Sequence, residues 1–232
     1  MKKEYSKLVK YYDLLHNEKD YRKEAEYFTK LILTYKTTKE NKLLDLACGT
    51  GEHIKYLKQH FNCEGLDISE EMIFIAQQKN TDLKFYIGDM ATFNLNKKFD
   101  VITLLFNSIG YLNKKKIELL FKQVSKHLNT GGIFLIETIF LKEKLKPIKN
   151  HIRSYSNNKI NIRRILNLSI DNNYAILHAK YLMNLKIIDE DKGKIVLLSE
   201  SEYKKLFSTN GFKIKKRIYK STRSSIFIGI KQ

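Results

Sequence analysis

The chain has 232 residues, is 43% hydrophobic, and carries 43 Lys and Arg against 25 Asp and Glu, a formal net charge of +18 at pH 7. That length suits one domain with a small elaboration. No apolar run reaches the roughly 18 residues of a membrane helix, the lysine-rich start lacks the apolar stretch of a secretion signal, and two cysteines, Cys48 and Cys63, give neither a disulfide framework nor metal-ligand spacing. These features predict a reduced, cytoplasmic protein with no metal centre and no membrane span. Only six of the basic residues are Arg, and Lys is scattered along the chain. The excess charge therefore reads as a solvated basic surface before a nucleic-acid groove, whose bidentate contacts favour Arg.

Residues 7–16 suggest a short helix, and apolar positions Ala25, Phe28, Leu31, Ile32 and Tyr35 place a helical stripe on residues 19–35. An alternation follows: strand 42–47, helix 52–61, strand 63–68, helix 70–79 capped by Ser69, strand 83–87, strand 99–106 and helix 114–128. Gly131-Gly132 are expected to stop that last helix and open strand 133–138. Strands alternating with helices imply right-handed crossovers and a mostly parallel sheet. After Leu141 the pattern becomes strand-like at 151–156, 160–170, 174–187 and 194–198, with turns expected at Asp171-Asn172-Asn173 and Asp191-Lys192-Gly193. Residues 199–209 open with capping residues, are stopped by Asn210-Gly211, and lead into strands 212–219 and 225–230. The predicted fold class is α/β: a Rossmann-like sheet with helices on both faces and a small antiparallel β insertion. Its parts are a helical cap (1–41), a ligand-binding core (42–140), the insertion (141–198) and the last helix and strands of the core (199–232).

The stretch "LLDLACGTGEH", Leu43 to His53, turns a strand into a helix through Gly49 and Gly51. Glycines there let the backbone approach a ligand closely. The third glycine of a dinucleotide fingerprint is replaced by Ile54, the P-loop Gly-Lys is absent, and Glu52 would repel a phosphate at the helix start. Asp45 and Glu52 favour a ligand with positive charge. Asp67, ending the second strand in "GLDIS", is placed for the two hydroxyls of a ribose. Asp89, in "GDMATF", can accept from an exocyclic amine, with Met90 covering a purine. Ala47, Ile68 and Leu105 complete the expected binding set. A ligand with an adenine, a ribose, no phosphate and a cationic group is S-adenosylmethionine (SAM).

These motifs, with "FDVITLLFNSIGYL" after them, resemble the successive motifs of class I SAM-dependent methyltransferases from Leu43 to Thr138. "YYDLLHNEKDYRKEAEYF", "NSIGYL", "HLNTGGIFLIET" and the late insertion resemble the branch that dimethylates amino sugars linked to a nucleotide. The resemblance implies an N-methyltransferase whose acceptor is a small amine, first of all the amino group of a dTDP-linked sugar, in an enzyme that is often a dimer. Alternatives are a SAM-dependent methyltransferase of RNA or of another small molecule, or a non-catalytic SAM-binding partner. His16 stands where the branch often has tyrosine, Ile139-Phe140-Leu141 replaces a Trp/Phe-rich stretch, and the insertion is shorter near 193–198. "NSIGY" is not the "NPPY"-like motif of base methylation.

An amine must react unprotonated, and a histidine suits that proton near neutral pH. His16 is expected to contact the acceptor amine, and the resemblance implies the same for His127, which also sits where a helix C-terminus favours a cation. Tyr12 and Tyr21 could donate to the acceptor or to the cofactor carboxylate. Glu137, ending the fifth strand, could hold the amine as a cation. Asn107 is expected at the acceptor, and Arg223, with Arg163 and Arg164, could meet a phosphate.

Overall fold

A computed structural model describes residues 8–219 and 225–232. A 3-10 turn at Val9–Tyr11 runs into helix Tyr12–Leu15 (α1), and helix Tyr21–Tyr35 (α2) follows. Then come Lys42–Leu46 (β1), Glu52–Leu57 (α3), Asn62–Asp67 (β2), Glu70–Lys79 (α4), Lys84–Ile87 (β3) and Phe99–Leu104 (β4). A 3-10 turn at Ser108–Tyr111 precedes Lys114–His127 (α5) and Leu128–Thr138 (β5). The insertion is Ile148–Ser156 (β6), Asn161–Asp171 (β7), Tyr174–Met183 (β8) and Lys186–Val196 (β9). Glu200–Thr209 (α6), Phe212–Tyr219 (β10) and Ser225–Lys231 (β11) close the chain.

The main sheet has seven strands in the order β10-β11-β5-β4-β1-β2-β3. β1 to β5 pair parallel with one another, and β11 lies antiparallel between β5 and β10. Both faces are covered, so the strands read as unbroken apolar runs in which alternate residues serve opposite cores. Leu43, Val101, Ile133, Leu135, Ile226 and Ile228 pack with Phe28 and Ile32 of α2, Ile54 and Leu57 of α3 and Ile73 of α4. Leu44, Ile102, Phe134, Ile136 and Phe227 pack on the other side with Phe121 and Val124 of α5 and Tyr203 and Phe207 of α6. Side-chain caps fix the helix starts: Asp20 accepts from the Lys23 N–H, Ser69 from the Met72 N–H, Asn113 from the Lys116 N–H, and Ser199 with Glu202 forms a full capping box.

Two expected boundaries are corrected. α5 ends at His127 with no glycine stop, and Gly131-Gly132 lie inside β5. Gly131 adopts φ +82° where an added Cβ would strike the Thr37 hydroxyl at 2.2 Å, so it serves close packing against the segment after α2. The run 174–187 is broken at Asn184-Leu185, both at positive φ, and Asp191-Lys192-Gly193 is the middle of a long β9 and makes no turn. The insertion is thus a four-stranded antiparallel meander, β6-β7-β8-β9. It docks on the core where Ile195 meets Gly110 so closely that a Cβ there would lie 2.4 Å from Ile195 Cγ2. Its inner face covers the cap, with Tyr155, Ile162, Tyr181 and Met183 around Leu8, Leu14 and Leu15. Among the described residues no helix is long and apolar enough to cross a membrane.

Gly51 has φ +77°, and a Cβ there would sit 2.9 Å from Asn80 Nδ2 and 3.3 Å from Ala76 Cβ. Gly51→Ala combines a left-handed alanine with overpacking against α4, and should cost about 2 kcal/mol. Urea unfolding checks it; a midpoint unchanged from wild type would show that the loop has slack.

Candidate active site

The carboxyl ends of β1, β2, β3, β4 and β5 converge on one edge of the sheet, where the order reverses between β1 and β4; open α/β sheets bind ligands there. The turn after β1 is left-handed at Ala47 (φ +53°), Gly49 (φ +56°) and Gly51 (φ +77°). A Cβ on Gly49 would meet nothing within 4 Å, so the loop presents bare backbone to the edge. Asp67 organises it. The Gly49 N–H donates to Asp67 Oδ2 and the Ser69 N–H to Oδ1, each at 2.9 Å. Burial nevertheless raises the Asp67 carboxyl above its ordinary value, against the pull of these donors. Ile68 beside it is an exposed apolar residue.

Asp89, past β3, is pushed up by burial, but the Lys116 ammonium at 2.7 Å and the Ala91 N–H at 2.9 Å outweigh that and hold it below its ordinary value. Met90 and Leu105 are buried beneath the same edge.

The expectation that Asp45 and Glu52 favour a cation is corrected. Asp45 is buried inside the sheet, accepts from the Thr103 hydroxyl at 2.7 Å, and is raised by that burial to about 7. Glu52 is neutralised by Lys79 at 2.7 Å. Lys79 also pairs with Asp13 at 2.5 Å, and Asp13 accepts from the Thr50 hydroxyl at 2.8 Å. Asp13, Thr50 and Lys79 therefore latch the cap to the glycine turn. Residues far apart in the chain make this latch, and no local motif marks them.

At the ends of β4 and β5, Phe106 and Asn107 both take left-handed φ, +53° and +62°. Such residues are costly and held by their surroundings. Here Glu137 Oε2 accepts from the Phe106 N–H at 3.0 Å, and Asn107 Oδ1 accepts from the Thr138 hydroxyl and the Ile139 and Phe140 N–H groups at 2.9, 3.1 and 3.3 Å. Asn107 is thus a buried clamp between strand ends, which corrects its expected place at the acceptor. Glu137 is likewise buried and braces the turn.

The cap lies over this turn. His16 packs edge-on against Phe106 with ring centroids 5.2 Å apart, and Tyr12 lies 4.4 Å from His16. His16 Nδ1–H donates to the Tyr12 carbonyl at 2.8 Å, so in the neutral ring Nε2 carries the lone pair. Burial lowers the His16 pKa, and burial raises that of Tyr12. Lys19 sits 4.4 Å over the Phe106 ring and pairs with Glu24, which also bonds His53 at 2.9 Å. The Tyr21 ring packs edge-on against His53. His53 is thereby a structural link between α2 and α3. A groove of about 280 Å³, lined by Asp13, His16, Lys19, Tyr21, Glu52 and Tyr56 among others, opens at the cap. A larger groove of about 720 Å³ lies at the amino ends of β1, β2 and β4 and shares none of these residues.

His127 is corrected outright. It ends α5 at the opposite edge of the sheet, where its Nδ1–H donates to the Gln123 carbonyl at 2.8 Å and its Nε2 accepts from the Leu95 N–H at 3.2 Å. Both ring nitrogens are spent and the ring stacks on Phe93. Arg223 lies outside the described residues.

Residues 43–132 match the family model described as "Methyltransferase domain". With that match, the seven-stranded sheet and the loop at its switch point make the chain a class I SAM-dependent methyltransferase. Among its relatives it is similar to the dTDP-3-amino-3,6-dideoxy-alpha-D-glucopyranose N,N-dimethyltransferase of Streptomyces fradiae, at 27% identity over 219 residues, 89% of this chain and 84% of the relative. It shares the fold of Streptomyces venezuelae DesVI, with a TM-score of 0.85 at 24% identity over 95% and 97% of the two chains. It also shares that of SAM-bound CalS10, an amino pentose methyltransferase from Micromonospora echinaspora, with a TM-score of 0.83 at 21% identity over 97% of each chain.

His127→Gln should lower the melting temperature by several degrees while leaving kcat per folded molecule within about twofold, because the ring fills a buried slot away from the edge. A hundredfold fall in kcat with an unchanged melting temperature would restore it to the chemistry.

Proposed function

We propose that the protein transfers the methyl group of SAM to the amino group of a nucleotide-linked amino sugar, with dTDP as the nucleotide. The relatives' substrates support this acceptor class, and the observation that carries it is His16: a neutral ring with its Nδ1–H engaged and Nε2 left as a base, on the cap over the β4 turn. When bound, SAM supplies a methyl group already activated on a sulfonium, whose departure leaves a neutral thioether. The chain then needs to align and dry the acceptor and to take one proton. In this reading Gly49 and Gly51 let the backbone reach the methionine part. Asp67 receives the ribose hydroxyls, and Ile68, Asp89, Met90 and Leu105 hold the adenine. Tyr12 and Tyr21 line the path of the methyl group, and His16 Nε2 takes the ammonium proton as the N–C bond forms. Such a substrate is a cytosolic metabolite, which agrees with a cytoplasmic enzyme.

The test is mass spectrometry of a dTDP-linked amino sugar incubated with SAM and enzyme, with mono- and dimethylated products expected. His16→Ala should lower kcat about a hundredfold and leave affinity for S-adenosylhomocysteine unchanged by calorimetry. Because burial lowers the His16 pKa, the base stays unprotonated below the ordinary imidazole value. Wild-type kcat/KM should therefore hold its plateau below pH 6.5 when corrected for the acceptor's own titration. Full activity in His16→Ala would remove the assigned base, and the absence of any methylated sugar would remove the acceptor.

A further inference from the structure

The inner face of the insertion carries an arginine whose surroundings ask for an anion. The β6–β7 register sets Arg164 directly opposite Arg153, and the β7–β8 register sets it opposite Tyr181. Like charges facing each other across a strand pair are destabilising. Arg153 relieves this by reaching Glu18 of the cap at 3.4 Å. Arg164 instead turns over the Tyr155 ring, 5.5 Å from its centroid, and its Nε–H is buried without a hydrogen-bond partner. A buried donor left unmade costs about 1–3 kcal/mol, more when charged, so such a group calls for an explanation. Arg163, the neighbouring residue, is exposed on the outer face and has no such constraint.

The position is as telling as the missing bond. Tyr155 and Tyr181 belong to the cluster that seats the insertion on Leu15 and Tyr11 of the cap. The Arg164 charge also reaches His16, where it adds to burial in disfavouring the imidazolium, and it reaches Tyr181. Arg164, over Tyr155 and opposite Tyr181, thus lies where the insertion packs on the cap that carries His16. A guanidinium is a planar fork suited to two oxygens of a phosphate or carboxylate. The one anion of the cofactor, its carboxylate, belongs to the methionine part, which the function proposed above seats at the Gly49–Gly51 turn; an oxyanion at Arg164 then has to arrive with the acceptor.

We propose that Arg164 is the anchor for an oxyanion on the methyl acceptor, binding a phosphate of a diphosphate through Nε–H and a terminal N–H. The diphosphate, and the acceptor as its carrier, rest on the function proposed above; the unmet donor is that of Arg164. The insertion then selects acceptors by charge while the core binds the cofactor, and a neutral amine of the same shape should be a poor substrate.

The experiment is calorimetric titration of the protein saturated with S-adenosylhomocysteine, using dTDP and inorganic pyrophosphate as probes against wild type, Arg164→Lys and Arg164→Gln. Wild type should bind dTDP. Arg164→Gln should weaken it by about tenfold to a hundredfold, the loss of one charge-assisted pair, and Arg164→Lys should fall between, since an ammonium keeps the charge without the fork. Affinity for S-adenosylhomocysteine should stay within twofold, and the melting temperature of Arg164→Gln should hold or rise, because a buried N–H without a partner has gone. Equal dTDP affinity in wild type and Arg164→Gln would overturn the anchor and leave the nucleotide-sugar reading standing. Arg164-dependent binding of pyrophosphate with no preference for dTDP would support the anchor and remove the nucleotide from the proposed function. Failure of wild type to bind either probe, or a large fall in melting temperature in Arg164→Gln with unchanged affinity, would overturn the anchor and make Arg164 a structural residue.

Discussion

One buried carboxylate sets the geometry of the ligand edge. Asp67 accepts the Gly49 N–H on one oxygen and the Ser69 N–H on the other, tying the turn after β1 to the turn after β2. A carboxylate so enclosed is costly unless it is hydrogen-bonded, and two backbone donors meet that need without a counter-charge while leaving acceptor capacity on both oxygens. With Gly49 pinned, Gly51 packs against Ala76 and Asn80 of α4, and the start of α3 has little freedom. Thr50, between the two glycines, then presents its hydroxyl to Asp13, and Lys79 at the end of α4 bridges Asp13 to Glu52. The position of the cap is thus a consequence of the β2 end, passed through the glycine turn.

The turn after β4 obeys a second constraint that meets the first at the cap. Two consecutive left-handed residues, Phe106 and Asn107, each carry a cost of order 1–3 kcal/mol. The Asn107 amide oxygen accepts three hydrogen bonds and Glu137 accepts a fourth from Phe106, so reversing the strain would strand four donors. This arrangement holds the Phe106 ring under His16 and Lys19. The imidazole that the cap delivers and the turn that receives it are therefore fixed by separate networks, one rooted in Asp67 and the other in Asn107.

The core was legible because its signals are local or periodic. Strands covered on both faces give apolar runs, Ser69 and Ser199 mark helix starts, and acids at the ends of β2 and β3 follow from the βα repeat. What escaped was long-range or ambiguous. Asp13 and Lys79 pair across 66 positions, which no spacing reveals. His127 carries the local signature of a helix C-terminus, and only the Leu95 N–H on its far side shows that the ring is spent. Asp191-Lys192-Gly193 has turn composition but sits within β9, because pairing along the whole of β8 outweighs the weak local preference of three residues. Arg163 and Arg164 look equivalent in the sequence; the strand's two-residue period sends one outward and the other toward Tyr155 and the cap.

Charge at the ligand edge has a different logic from the one its composition suggests. The acids that might greet a cation are already answered: Glu52 by Lys79, Asp89 by Lys116, and Asp45 by burial against Thr103. Other lysines pair in the same way elsewhere, as in Lys97–Glu64 and Lys114–Glu202, partly exposed pairs that contribute little individually. A cationic cofactor at this edge would therefore be held by shape, backbone and aromatic faces more than by net charge. Arg164, whose Nε–H is buried without a partner, lies instead on the insertion, a four-stranded sheet separate from the main one. In the proposed reading the backbone and Asp67 of the core would hold the cofactor, while selection by charge would fall to the insertion, a sheet separate from the core.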